Sequence, residues 1–210
     1  MFTSIFETER ALTDVAELRA LFGGADLYLA PGARLTLHGE ITLGPGVIIA
    51  GDCRLIGPLS IEAGCHLTAV VLGARTRVRS HSVLADLTAG EGNLFGPFCF
   101  IRDGCIVGDD TILGAHVEAA RSRFGSGVKV SHRAFIGDAQ VGERTILGAG
   151  VVFCNFDGTG RQETRVGADV TVGSGTMLVP PLTIGDGALI AAGSVVTKAV
   201  APGAKVVQKR

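Results

Sequence analysis

Residues 129–158 read KVSHRAFIGDAQVGERTILGAGVVFCNFDG. Apolar side chains return here every six positions, at Phe135, Val141, Leu147 and Phe153, until Asn155-Phe156-Asp157-Gly158 breaks the rhythm. The same step extends outward in both directions. It runs through Leu37, Leu43, Ile49, Leu55, Ile61 and Leu67, then through Phe95, Ile101, Val107, Leu113 and Ala119. It resumes at Val166, Val172, Leu178, Ile184, Ile190 and Val196. Gly often follows directly, as in Val107-Gly108, Leu147-Gly148, Val172-Gly173 and Ile184-Gly185.

A helix repeats every 3.6 residues and a two-sided strand every two, so neither explains a period of six. A short strand, a turn and another short strand does. One apolar residue per unit points inward, and Gly, Asn or Asp permits the turn. Three units close a triangular coil, and coils stack strand over strand at about 4.8 Å. The rhythm slips near residues 68–72, 85–94, 120–134 and 154–165, the last containing the Asn-Phe-Asp-Gly segment.

Composition agrees with many small layers. Gly is 31 of 210 residues, aromatics are 5%, Trp is absent and Tyr28 stands alone. Gly is not at every third position and Pro is only 7, which excludes a collagen-like chain. A net charge of −1 gives no field that would draw the chain to nucleic acid or an anionic membrane. Apolar runs are too short and too Gly-interrupted for a membrane-spanning helix. The acidic start, with Glu7, Glu9 and Asp14, lacks the pattern of a secretory signal, so a cytoplasmic location is expected. Five cysteines, odd in number and without a C-x-x-C pair, fit reduced thiols.

Residues 1–24 read differently from the rest. Ser4-x-x-Glu7 and Asp14-x-x-Glu17 are both helix-capping patterns, Leu12, Val15, Leu18 and Phe22 have helical spacing, and Gly23-Gly24 ends the run. The expectation is a short N-terminal helix over 1–24 that covers the open end of a repeat domain spanning 25–210, with a basic tail from Lys205 to Arg210.

The six-residue pattern with its following Gly resembles the hexapeptide-repeat acyltransferases, which implies an all-β, left-handed parallel β-helix. A narrower resemblance rests on Gly96-Pro97-Phe98 with Ile101-Arg102, Val117-Glu118, Ser131-His132, Gly137-Asp138-Ala139, Gly148-Ala149-Gly150 and Cys154-Asn155-Phe156-Asp157-Gly158. Together these are similar to the C-terminal acetyltransferase domain of the bifunctional GlmU family, from about residue 20 onward. That domain moves acetyl from acetyl-CoA to glucosamine 1-phosphate. The family's nucleotidyltransferase half has no counterpart expected here.

The resemblance implies a CoA-dependent N-acyltransferase that works as a homotrimer on an amino sugar, an amino-sugar phosphate or a similar amine, with acetyl-CoA as donor and no metal. It implies His132 as the general base, for which an unperturbed pKa of about 6.5 suits imidazole. It places Asn155 near acceptor and thioester, although Asn155 is equally a turn residue before Asp157-Gly158. Ala149, Ser174 and Ala192 match positions that contact the acetyl and pantetheine arm, and are also ordinary small residues for coil corners. Lys205, Lys209 and Arg210 stand where CoA phosphates would be met, or are simply solvated. A zinc centre, as in hexapeptide carbonic anhydrases, needs a histidine five after His116; that position is Arg121, and His81 with His116 alone makes a poor ligand set.

On the acceptor side this chain departs from the family. Arg102 is kept and a Lys becomes Arg161, but Ala120 stands for a Lys, Ile146 for an Asn, and Phe135 and Phe156 for Tyr. Lost hydrogen-bonding groups predict a site that holds a sugar phosphate poorly. The alternative reading is a non-catalytic repeat module that retains a ligand groove or serves as a trimeric scaffold.

Overall fold

A computed structural model describes residues 1–207. The chain opens with strand β1 (Phe2–Leu12) and helix α1 (Val15–Leu21), then enters a parallel solenoid through β2 (Leu27–Leu29) and β3 (Arg34–Leu43). From there strands of two to seven residues wind to Val206, each pairing in parallel with strands one coil away.

The prism has three faces. The first carries Leu94–Phe95, Ile112–Ala115, Lys129–His132, Ile146–Leu147, Thr171–Val172 and Leu189–Ile190. The second carries Phe100–Arg102, Glu118–Ala120, Phe135–Gly137, Val152–Phe153, Met177–Leu178 and Val195–Val196. The third carries Cys105–Val107, Arg123–Phe124, Ala139–Val141, Thr164–Val166 and Leu182–Ile184. The inward series read from the sequence is fully buried in the first half of the chain: Leu37, Leu43, Ile49, Leu55, Ile61 and Leu67 are all 0% exposed.

The register slips have a structural cause. Leu94 pairs with Ile112 at 18 residues, but Ile112 pairs with Lys129 and Lys129 with Ile146 at 17. A coil one residue short shifts the phase, so Phe135 does not head an inward series. Ile136 points into the core at 0% exposure, and Phe135 lies outward on the second face. Ile146 pairs with Thr171 at 25 residues, and the surplus is extruded as the loop that contains Asn155–Arg161.

Gly has two distinct jobs. At the corners it supplies a left-handed backbone, as at Gly150 (φ 75°) and Gly175 (φ 70°). The Gly that follows each inward residue serves another purpose than the turn expected from the sequence. A Cβ on Gly173 would lie 2.3 Å from the Ala192 nitrogen, and one on Gly142 would lie 2.4 Å from the Gly167 carbonyl carbon. These residues are Gly because the next coil's backbone occupies the space a side chain would take.

The N-terminal expectation holds in part. Asp14 caps α1, accepting from the Glu17 N–H at 2.9 Å, and Leu18 is buried. Residues 2–12, however, form a strand rather than helix. β1 runs antiparallel to β3, from Phe2↔Leu43 to Leu12↔Leu35, with an irregularity between Phe6 and Arg10. Ser4 caps no helix N-terminus; it lies in β1, and its hydroxyl donates to the Leu21 carbonyl at the end of α1. The bare edge of β3 outcompetes helix formation, because an unpaired parallel edge leaves a row of polar groups without partners and Phe2, Thr3, Ile5 and Phe6 suit a strand. The end of the prism is therefore covered by strand and helix together.

Two substitutions separate the two constraints on the corners. Gly173→Ala is expected to cost about 1–3 kcal/mol, since the next coil must move to admit the methyl group. Ala69 holds φ 51° with its methyl exposed. Ala69→Gly is expected to stabilise by about 0.5–1 kcal/mol, the relief of left-handed strain exceeding the added chain entropy. Chemical denaturation of both variants against the parent checks the pair of signs.

Candidate functional site

Stacked coils put equivalent residues into columns along the prism. His132 ends its strand at the edge between the first and second faces, paired with Ala115. Ala149, Ser174 and Ala192 continue that column on the following coils: the Gly175 N–H reaches the Ala149 carbonyl and the Gly193 N–H the Ser174 carbonyl, each at 2.8 Å. All four are exposed. His132 has no side-chain partner among the described residues, and neither does the Ala149 N–H. Arg133 follows His132 in a left-handed corner (φ 39°), also exposed.

The other expected residues gather at the far side of the second face, on its edge with the third. Here Asn155 is buried, and its amide donates to Asp138 at 2.5 Å. Asp138 also accepts from Arg121, through Nε at 2.7 Å and Nη2 at 3.0 Å. Arg121 reaches Asp103 at 2.9 Å, and Arg102 is held by Asp103 and, at 2.7 Å, by Glu118. The Arg102 guanidinium also sits 5.2 Å from the Phe100 ring centroid. The result is one chain of alternating charge, Glu118–Arg102–Asp103–Arg121–Asp138, ending on Asn155. The Arg121 guanidinium, helped by Asn155 and against the cost of burial, holds the Asp138 carboxyl below the usual range, and the carboxylates hold both arginines firmly charged.

The extruded loop is fixed by a single carboxylate. Asp157 accepts from the Thr159 N–H and hydroxyl at 2.9 and 2.8 Å, from the Gly160 N–H at 2.8 Å and from Gln162 at 2.9 Å. These donors, the backbone N–H groups first, pull its pKa far below the ordinary value. Phe156 bridges to Arg161 across the loop mouth. Phe156 is exposed, and Arg161 extends to 4.0 Å from Asp138.

The second face thus separates two groups of candidates. His132, Ala149, Ser174 and Ala192 lie on one edge; Arg102, Asn155, Phe156 and Arg161 lie on the other, with Phe135 between. Crossing the face takes the Phe135–Gly137 strand plus its corners, roughly 10–15 Å at about 3.3 Å per residue. Within one chain His132 and Asn155 are not brought together. Ala120 is fully buried and offers nothing to a ligand, while Arg121, one step on, provides the cation at that corner. Lys209 and Arg210 lie outside the described residues. His81 and His116 do not approach each other: the Phe98 ring stacks between them at 5.5 and 5.4 Å. The thiols of Cys53, Cys65, Cys99 and Cys105 are buried, and burial raises all four pKa values, Cys99 to about 12, so they behave as small apolar core residues.

Sequence reading missed Arg123, Gln140 and Glu163. With Arg121, Asp138 and Arg161 they line a cleft of about 310 Å³ where the third face meets the loop. A signal for two of them was present: Arg123 and Gln140 immediately precede the inward Phe124 and Val141, and such positions face outward in every coil.

Residues 163–198 match the sequence model of the bacterial transferase hexapeptide (six repeats). The bifunctional protein GlmU of Acinetobacter baumannii (strain ACICU) is 39% identical over 178 residues, covering 82% of this chain and 39% of that protein. GlmU of Mycobacterium leprae (strain Br4923) is 40% identical over 185 residues, covering 88% of this chain and 34% of that protein. The chain thus spans about two-fifths or less of the length of these relatives. Among solved structures, the UDP-N-acetylglucosamine acyltransferase from Campylobacter jejuni matches at 15% identity with a TM-score of 0.51, over 84% of this chain and 68% of that one. That likeness speaks for the fold.

Asp138 gives the charge chain a pH signature. A carboxyl with a lowered folded pKa adds stability that is complete above its unfolded value near 3.9 and is lost as pH falls through the folded value. Asp138→Asn is expected to lower Tm at pH 7 by about 4–8 °C, the effect of roughly 2 kcal/mol in a chain of this length. The gap between variant and parent should shrink toward pH 3, as scanning calorimetry across pH 3–7 would record.

Proposed function

We propose, for a chain that belongs to the hexapeptide-repeat family, that it is a CoA-dependent N-acyltransferase, with an acetyl donor and an amino sugar or related amine as acceptor. The observation that carries this reading is the column His132–Ala149–Ser174–Ala192. It sets an exposed imidazole one coil from a backbone N–H that has no partner among the described residues, in line with the small, exposed Ser174 and Ala192.

The chemistry follows from those groups. The acceptor amine attacks the thioester carbonyl carbon. A C–N bond forms, the C–S bond breaks, and CoA leaves as a thiolate. His132 takes the proton shed by the attacking nitrogen and returns it to the sulfur. The Ala149 N–H is positioned to donate to the carbonyl oxygen as it becomes negative, the stage at which such a donor helps most.

Catalytic groups act on the same atoms only within hydrogen-bond reach. His132 and Asn155, at opposite edges of one face, satisfy that only if they come from different chains. The proposed assembly is therefore a homotrimer in which the His132 edge of one prism meets the Asn155–Arg161 loop of the next. The outward column of the second face is mostly apolar, with Tyr28, Ile48, Phe100, Met177 and Val195 exposed and only His66 and Glu118 polar, which supports a buried role for that face. Static light scattering at micromolar concentration is expected to give three times the chain mass; a monomer contradicts the assembly.

The acceptor follows from what the loop edge lacks. Phe135 and Phe156 donate no hydrogen bonds, Ala120 is buried, Arg102 is already bound to two carboxylates, and Ile146 lies away from this edge on the first face. Each buried sugar hydroxyl left unpaired costs about 1–3 kcal/mol. Glucosamine 1-phosphate is therefore expected to be a poor acceptor, with kcat/KM well below that of a less phosphorylated or partly apolar amine.

Thiol release from acetyl-CoA over a panel of amino sugars and amines tests the activity. Release with none of them favours the non-catalytic module. With an acceptor in hand, His132→Asn is expected to lower kcat at least about a hundredfold with Tm unchanged, because an exposed corner side chain holds no layers together. Unchanged turnover removes His132 from the mechanism.

A further inference from the structure

The two ends of the Asn155 side chain are treated differently. Asn155 is only 8% exposed. Its amide nitrogen donates to Asp138 at 2.5 Å, while its side-chain oxygen has no hydrogen-bond partner among the described residues and still reaches solvent. A carboxylate only accepts hydrogen bonds, so an ionised Asp138 takes the nitrogen end of the amide and cannot take the oxygen end. Arg121 keeps Asp138 ionised: its Nε lies at 2.7 Å and its Nη2 at 3.0 Å, and it holds the carboxyl below the usual range.

A missing side chain makes room for this arrangement. A Cβ on Gly137 would lie 2.4 Å from the Asn155 amide nitrogen and 2.9 Å from the Phe135 Cζ. Gly137 has no left-handed backbone to require a glycine. It is Gly because the Asn155 amide and the tip of the Phe135 ring occupy the space. From the other side, the Gln162 N–H donates to the Asn155 backbone carbonyl at 2.7 Å. The backbone, the amide nitrogen and the volume around it are all set, and only the side-chain oxygen is left over.

We propose that Asp138 is a positioning residue that fixes the direction of the Asn155 amide, so that its oxygen rather than its nitrogen meets the acceptor amine. That use of the oxygen rests on the acyltransferase reading above; the lock itself does not. The direction matters to the chemistry. A neutral amine attacks with its lone pair and must give its N–H groups to acceptors. The Asn155 oxygen accepts one N–H, His132 of the partner subunit takes the proton of another, and the lone pair is left for the thioester carbon. A reversed amide would donate to that lone pair and block the attack. The oxygen's hold strengthens as the nitrogen becomes positive, so the lock acts on turnover more than on binding.

Asn93 and Asn155 are the two asparagines of the chain, so whole protein labelled with heavy nitrogen at asparagine alone gives two side-chain amide signals by NMR. Asn93, which donates to the Gly90 carbonyl and accepts from the Thr111 N–H, is the internal control. In the parent, the Asn155 amide protons are expected to exchange with solvent at least about tenfold more slowly than those of a free asparagine side chain. Asp138→Ala should bring them to the free rate and leave Asn93 unchanged. Gly137→Ala should do the same, because its methyl group displaces the amide nitrogen while Asp138 and Arg121 stay in place. Free exchange in the parent overturns the proposal, as does parent-like protection in either variant. In the thiol-release assay, with the amine that is acylated, both variants should lower kcat at least about tenfold with KM for that amine within about threefold. Loss of protection with kcat unchanged overturns the proposal as well. Protection that depends on Asp138 in a protein that acylates nothing keeps the lock and removes the acyltransferase reading.

Discussion

The backbone ladder between coils governs everything else. Each short strand must give its N–H and C=O groups to the coils above and below, since a buried unpaired group costs about as much as a lost hydrogen bond. That demand holds coil length at 17 or 18 residues through most of the prism, places residues such as Gly173 where the next backbone leaves no room, and forces left-handed corners at Ala69, Asp103, Arg121 and Asp138. It also sorts side chains into columns. A functional group on this scaffold gains neighbours one coil up or down, or across an edge, but never across the filled interior.

Two consequences shape the candidate site. Surplus residues have only one way out, so the 25-residue offset between Ile146 and Thr171 becomes a protruding loop carrying Phe156 and Arg161. The second consequence is electrostatic. Corner residues of successive coils stack closely, and Asp103, Arg121 and Asp138 neutralise one another in sequence. Those arginines support the corner and are poorly free to hold a ligand's charge. Arg102 is tied to Glu118 and Asp103 in the same way.

Much of this was legible in the sequence. The period of six gave the layers because the inward position is chemically uniform, and Asp14 marked the start of α1 because capping is local. Phe135 was misassigned to the interior because a coil one residue short moves the phase without leaving a mark at any single residue. β1 was read as helix because its preference is settled by the open edge of β3, more than twenty residues away. His132, Ala149, Ser174 and Ala192 appeared as separate residues in the sequence, and only stacking makes them a column. Arg123 was passed over because its place before the inward Phe124 marks only that it faces outward; which neighbours it meets there is set by stacking.

The central claim is that a reacting centre touching both His132 and Asn155 is made by two chains. Mixing His132→Ala with Asn155→Ala under conditions that exchange subunits tests it directly. Each variant alone is expected to be nearly inactive. In a randomly mixed trimer, about one site in four joins an intact His132 edge to an intact Asn155 loop. The mixture should therefore recover about a quarter of the parent's activity per site. Activity no greater than the average of the two separate variants would contradict a site shared between chains.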